Sequence, residues 1–375
     1  MKILMTALQP GGGIRSFFRY IYGQPYFQDC SLTLVAPAEG LDQFIEDYLP
    51  PGRLTLIEAA SGHVGFVRQV RALLKSGRFD FVHSHGFSAG VLTEIARAGL
   101  PVSHLMTAHD VFLASQFSGW KGSLKRRVMS SVFRRISAIH TVTDDARANL
   151  LEFFPEIQDE RVHSILHGVD TEYFRDGETR NLKSELGLQP ETPLIGFFGR
   201  FMGQKGFRTL VDAMQAIVEK RLVEPLPHVV TFGWGGFIRE DYAYLEKEGL
   251  DHYFHQLPQT HNMPAAFKGV DLVAMPSRWE ACGLLAMEAL AAGVPMVGTH
   301  CVGLREVLEG TPASVVAPSD SGSLAKAIAD DLKNLKTRKA EFIAFQEHAV
   351  ECFQISRPAS ELRNLYQHVY DGKLM

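Results

Sequence analysis

Apolar positions along this chain gather into short, unbroken runs rather than alternating with polar ones. In the first half the runs are 2–8, 31–37, 54–57, 79–83, 102–107, 138–142 and 162–166. Between them lie stretches with helical spacing, among them 66–75, 90–98 and 145–154. Strands that are apolar throughout are buried on both faces, and regular strand–helix alternation makes them parallel. The second half repeats the rhythm with runs at 193–198, 229–232, 253–257, 271–275, 295–297 and 314–317. The pattern predicts an α/β chain with two doubly wound parallel sheets in series. A polar stretch at 176–192 is the linker candidate, dividing the chain into 1–175 and 176–355. A last helical segment is expected at 358–370.

Bulk properties narrow the classes. A length of 375 residues suffices for two domains with a large core, and 46% hydrophobic with 21% charged residues is the balance of a folded globular protein. A net charge of −4 gives no overall electrostatic case for nucleic acid. Cys30, Cys282, Cys301 and Cys352 are scattered without metal-ligand spacing, which implies reduced thiols in a cytoplasmic protein. The apolar N-terminus has the length of a strand rather than of a signal peptide. No run approaches the roughly 18 apolar residues of a membrane span. The expectation is a soluble protein, at most peripheral to a membrane.

Two stretches carry candidate chemistry. In the first, the run 271–276 ends in a polar loop, Ser277-Arg278-Trp279-Glu280-Ala281, and a helical pattern opens at Cys282-Gly283-Leu284-Leu285. Free amides in the first turn of a helix, reinforced by its dipole, favour an anion. Glu280 precedes that turn, and Glu288 follows Leu284 by four residues on the same helix face. A ligand with an anionic middle and hydroxyls on both sides suits this layout, and a nucleotide-sugar is one. In the second, the run 194–198 enters a glycine-rich loop, Gly199-Arg200-Phe201-Met202-Gly203-Gln204-Lys205-Gly206. Its guanidinium offers paired planar donors and its ammonium a point charge, a combination suited to pyrophosphate.

These stretches resemble the retaining glycosyltransferases of family 4, which have the GT-B fold. The matching features are Gly-Arg-x4-Lys-Gly at Gly199–Gly206, Glu-x7-Glu at Glu280 and Glu288, and Ala-x-Gly-x-Pro from Ala291. Leu166-His167-Gly168-Val169-Asp170-Thr171-Glu172-Tyr173-Phe174 resembles the family's Asn-Gly-Val-Asp-x3-Phe, with His167 in place of asparagine. Val302-Gly303-Leu304-Arg305-Glu306 stands where the family has Gly-Gly-x-x-Glu, and Glu280–Leu284 departs from Glu-Gly-Phe-Gly-Leu at two positions. The resemblance implies two Rossmann-like domains facing across a cleft. The N-terminal one would bind the acceptor, the C-terminal one the nucleotide-sugar, and a helix at about 356–375 would cross back to the first.

It also implies roles. Arg200 and Lys205, with the amides near Gly283 and Leu284, would neutralise the departing pyrophosphate, and Gly199 would help bind the donor. Glu280 would hold sugar hydroxyls and Glu288 the ribose, with Cys282 and Leu285 also binding the donor. His109, in Thr107-Ala108-His109, would contact the donor sugar from the N-terminal domain. No cofactor or metal is implied. The chain has no Asp-x-Asp, the anchor of the metal-dependent GT-A class. The acceptor would be a glycan or a lipid-linked saccharide, as in bacterial cell-surface polysaccharide and lipopolysaccharide synthesis.

Other features stay open at this level. Gly11-Gly12-Gly13 after the first run is a phosphate-approach turn at Gly12 and Gly13 or an incomplete dinucleotide fingerprint, with Glu39 a poor stand-in for the acidic partner. His83 and His85 are expected to point to opposite faces of a strand, His83 into the core and His85 into the cleft, and so not to share a metal. Trp234, in Gly233-Trp234-Gly235-Gly236, either stacks on a base or packs. From Trp120 to Arg135 runs a cationic helix, with Lys121, Lys125, Arg126, Arg127, Arg134 and Arg135 beside an apolar Leu124, Val128 and Val132. It is either a docked surface helix or a contact with anionic membrane. A same-fold nucleotide-sugar epimerase, a non-catalytic nucleotide-sugar sensor and a dehydrogenase remain as alternatives to a transferase.

Overall fold

The computed structural model describes residues 1–233 and 235–372. The chain folds as two compact units, one made of Met1–His167 with Ile355–Met375, the other of Gly168–Gln354.

The N-terminal unit is built on seven strands: β1 (Lys2–Ala7), β2 (Ser31–Ala36), β3 (Leu54–Glu58), β4 (Phe81–His85), β5 (Ser103–Ala108), β6 (Ala138–Thr141) and β7 (Val162–Ser164). Every pairing is parallel, in the order β3-β2-β1-β4-β5-β6-β7. All residues of β4 and β6 are buried, as the unbroken apolar runs require. Helix Asp144–Phe153 shows why these connections form where they do. Thr143 caps it by accepting from the Ala146 amide at 3.0 Å, and Asp144 and Asp145 occupy the positive first turn. The final helix, Ser356–Tyr370, belongs to this unit. It buries Leu362, Leu365, Tyr366 and Val369, and Arg363 reaches Asp29 at 2.8 Å.

The second unit carries six parallel strands: β8 (Leu194–Phe197), β9 (His228–Thr231), β10 (Phe254–Gln256), β11 (Leu272–Met275), β12 (Met296–Thr299) and β13 (Ser314–Val316). Their order is β10-β9-β8-β11-β12-β13. Helix Phe207–Lys220 seals one face through Phe207, Leu210, Val211, Met214 and Ile217, a three-and-four spacing, and ends at Arg221 in the left-handed region. The polar stretch read as a linker is packed into this unit. Leu182 is fully buried, and Lys183 reaches the buried Asp271 at 2.7 Å. Asp271 also takes Lys339 at 2.7 Å and the Leu194 amide at 3.0 Å. These three donors outweigh the cost of burial and hold its carboxyl below the usual range.

Candidate functional site

In both sheets the strand order reverses at one point, between β1 and β4 and between β8 and β11. Connections on the two sides of such a point leave in opposite directions, which opens a crevice at the carboxyl ends of the strands. The glycine-rich loops, Glu280, His85 and His109 singled out in the sequence follow strands at or beside these two places.

In the second unit the loops after β8, β9, β11 and β12 converge. Three glycines allow that approach. Gly206 has φ +71°, and a Cβ there would lie 1.9 Å from the Pro276 carbonyl oxygen. A Cβ on Gly233 would lie 1.6 Å from the Gly199 oxygen, and Gly199 itself has φ +136°. The backbone joins the loops as well, since the Arg278 amide donates to the Gln204 carbonyl at 2.7 Å and the Glu280 amide to that of Val302 at 3.0 Å. At the next turn, Gly303 has φ +75°, and a Cβ there would meet the Glu280 carbonyl oxygen at 2.4 Å.

Glu280 is the centre of this assembly. It is 5% exposed, and one carboxylate oxygen receives Lys205 Nζ at 2.7 Å and Ser277 Oγ at 2.7 Å. The other receives Gln204 Nε2 at 3.3 Å. Ser277 is fixed in turn, its carbonyl accepting from Thr299 Oγ1 at 2.5 Å. The two loops expected to share an anionic ligand therefore meet through an ion pair, with Lys205 still partly exposed. Arg200 is half-buried in the same loop, and among the described residues it makes no hydrogen bond to Lys205 or Glu280. Gln204 and Ser277 were not singled out in the sequence. Gln204 lies inside the glycine-rich motif, but nothing in the motif says that it braces a carboxylate.

Helix Leu284–Ala291 begins at Gly283, where a Cβ would strike Leu304 at 2.7 Å. Leu284, Leu285 and Glu288 are each half-buried. One expectation needs correction here. The Leu284 amide is not free, because it donates to the Cys282 carbonyl at 3.0 Å in a tight turn. Cys282 is half-buried and forms no disulfide, and burial pushes the Cys301 thiol up to about 11. Trp234 lies outside the described residues.

In the N-terminal unit the Gly11–Gly13 turn follows β1, His85 ends β4 and His109 follows β5. Gly12 has φ +52°, and Cβ atoms at Gly11 or Gly13 would point into open space. His83 and His85 lie on the same face of β4, their ring centroids 4.2 Å apart, and both bond the Tyr22 hydroxyl. The expectation of opposite faces was wrong, since side chains along a strand alternate with period two and i and i+2 share a face. Both are buried, and His85 meets the half-buried His109 at 3.0 Å. Burial holds His83, His85 and His109 well below the usual histidine range, and His140 is pushed down to about 3.

The cationic helix of this unit spans Gly119–Phe133 and docks through Gly122, Met129 and Phe133. Its other side stays open, with Trp120 74%, Leu124 54% and Val128 50% exposed. Next to this stripe a groove of about 570 Å³ is lined by Arg126, Arg127 and Arg134 with the hydroxyls of Ser123 and Ser131 and the carboxylate of Glu156. No described helix is long and apolar enough to cross a membrane.

Two parallel α/β units, each with its loops gathered at a switch point, are the architecture of the GT-B transferases. Family comparison agrees: residues 26–166 match the glycosyl transferase 4-like domain and residues 192–334 the glycosyl transferases group 1. The chain belongs to the family 4 glycosyltransferases of the GT-B fold. It is 28% identical over 313 residues to the D-inositol 3-phosphate glycosyltransferase of Mycobacterium marinum, across 79% of this chain and 62% of that one. It is 30% identical over 215 residues to the lipopolysaccharide core biosynthesis mannosyltransferase LpsB of Rhizobium meliloti, across 54% and 60%. The matched regions thus span about three fifths of each relative's length. Anabaena HepE, solved with UDP and glucose, superposes with a TM-score of 0.82 at 19% identity, over 98% of this chain and 99% of that one.

Proposed function

We propose that this protein moves a sugar from a nucleotide-sugar to a glycan or lipid-linked saccharide with retention of anomeric configuration and without a metal, in the synthesis of a bacterial cell-surface polysaccharide. The observation that carries the reading is the braced Glu280–Lys205 pair at the switch point of the second unit. A carboxylate held by three donors is a preorganised acceptor for sugar hydroxyls, and the ammonium beside it is placed for phosphate oxygens. In the reaction the bond from the anomeric carbon to the phosphate oxygen breaks. The acceptor oxygen bonds to the same face, and its proton passes to the departing phosphate. Lys205 and Arg200 stabilise the charge that collects on the pyrophosphate. Glu288 takes the ribose, and His109 contacts the sugar.

The test is transfer from UDP-, GDP-, dTDP- and ADP-sugars to saccharide acceptors, with the anomer of the product read by NMR and the assay repeated in EDTA. Glu280→Gln and Lys205→Ala should each lower turnover by at least a hundredfold, the scale of losing an electrostatic contact to developing charge. Wild-type turnover in either variant overturns the assignment of the site. Isomerisation of the donor with no acceptor present identifies an epimerase instead. Donor binding with neither transfer nor hydrolysis identifies a sensor.

The open side of the Gly119–Phe133 helix supports a cytoplasmic enzyme that works on the inner face of an anionic membrane. Trp120, Leu124 and Val128 would enter the interface while Lys121, Lys125 and the arginine groove meet lipid phosphates. Co-sedimentation with phosphatidylglycerol vesicles, lost in Trp120→Ala and absent with phosphatidylcholine, is the expected result. Equal recovery with both lipids contradicts it.

A further inference from the structure

Behind His109 runs a chain of buried hydrogen bonds. His109 Nε2 lies 3.0 Å from His85 Nδ1, and His85 Nε2 lies 3.1 Å from the Tyr22 hydroxyl. Tyr22 meets the hydroxyl of Tyr366, on the last helix, at 3.0 Å, and Tyr366 meets His83 Nδ1 at 2.6 Å. His83 Nε2 continues to Thr107 Oγ1 at 2.7 Å, and Thr107 to His140 Nδ1 at 3.0 Å. Tyr22, His83 and Tyr366 are fully buried, and His85 is 1% exposed. The ring of Phe17 closes the front edge-on to His109, centroids 5.0 Å apart, and also touches His85, His140 and His167.

The chain has a direction. A neutral imidazole has one N–H and one lone pair, and a phenol has one proton, so each link decides the next. Burial keeps these rings neutral. If Tyr22 donates to His85 Nε2, then His85 Nδ1–H donates to His109 Nε2, and His109 carries its own proton on Nδ1. If His85 Nε2–H donates to Tyr22, every link reverses and His109 Nδ1 becomes a bare acceptor. The nitrogen of His109 that is left for a ligand is therefore a donor or an acceptor according to the order of protons several residues deeper.

We propose that His85 and Tyr22 are positioning residues that fix the tautomer and ring plane of His109, with Tyr366 anchoring the arrangement from the C-terminal helix. The value of this for transfer rests on the placing of His109 at the donor sugar given above. The tautomer itself does not. An apolar core would stabilise the sheet without such a chain, whereas a satisfied polar network specifies a single arrangement.

The test uses full-length protein with ¹⁵N-labelled histidine. Ring nitrogen spectra identify the tautomer, and His109→Asn assigns the His109 signals. Wild-type protein should show one His109 tautomer. Tyr22→Phe keeps the ring and removes the link, so His109 should become a mixture or reverse. The kcat should fall roughly tenfold, the usual scale for losing the partner that orients a working histidine, with KM for the donor little changed. Tyr366→Phe should do less, because the Tyr22 hydroxyl can turn to His83 Nδ1, 3.3 Å away. A folded Tyr22→Phe protein with the wild-type tautomer overturns the proposal, whether or not its kcat falls. If His109→Asn leaves kcat unchanged, the role of His109 at the sugar fails while the tautomer result still stands.

Discussion

The ion pair between Lys205 and Glu280 makes a quantitative prediction about the second unit. Lys205→Met removes the ammonium and leaves the Glu280 carboxylate 5% exposed, with Ser277 and Gln204 its remaining side-chain donors among the described residues. Breaking a fully buried pair costs about 3–5 kcal/mol, but the Lys205 side chain is 21% exposed, so water recovers part of the loss. About 2 kcal/mol is the expected cost. For a unit the size of Gly168–Gln354, that lowers the unfolding midpoint by roughly 4–8 °C. Glu280→Gln should cost a similar amount, because it leaves the ammonium facing a neutral amide. In Lys205→Met/Glu280→Gln neither charge is stranded, so the double variant should be more stable than the sum of the singles, with a coupling of about 1–2 kcal/mol. Calorimetric or denaturant unfolding of the four proteins measures this. Effects that add to within about 0.5 kcal/mol would show that the pair is not formed and would remove the geometric basis of the site.

Other predictions are more local. Gly206→Ala places a Cβ 1.9 Å from the Pro276 oxygen at a left-handed position, and should cost at least about 2 kcal/mol by urea unfolding; an unchanged midpoint would contradict the packing of these loops. Asp271→Asn breaks two lysine contacts and should lower the midpoint of the second unit by several degrees at pH 7. Because the Asp271 pKa is depressed, its contribution is present above the ordinary carboxylate range and lost as pH falls through the folded value, so mutant and wild type should converge in acid. The N-terminal unit buries neutral histidines whose folded pKa values lie below the ordinary 6.5, that of His140 near 3. The unfolded chain binds the extra protons, so stability is complete above about pH 6.5 and falls below it by up to about 1.4 kcal/mol per pH unit for each such histidine. Equal unfolding free energies at pH 7.5 and pH 5 would refute this.

Much of the fold was legible because parallel strands buried on both faces leave unbroken apolar runs. Each strand was anticipated within two or three residues, including short ones such as β12 and β13. The glycine-rich loop and Glu280 were legible because both kinds of residue answer strict local demands. The braces were not. Ser277 is three residues from Glu280, but serine in a loop has many uses. Tyr366 stands 283 positions from His83 and carries only the signature of a buried helical residue. The error over His83 and His85 came from misapplying strand periodicity. The stretch 176–192 read as a linker because it is polar, yet its lysine is polar in order to meet a buried aspartate.

The most direct test of the central claim is thermal unfolding against UDP-, GDP-, dTDP- and ADP-sugars, with NAD as a control, for wild type and Glu288→Ala. A ligand at a hundred times its dissociation constant adds about 2.7 kcal/mol, several degrees in the midpoint. One nucleotide series should shift the wild type and leave Glu288→Ala unmoved. A shift by NAD alone, or equal shifts in both proteins, would contradict a nucleotide-sugar site at the switch point of the second sheet.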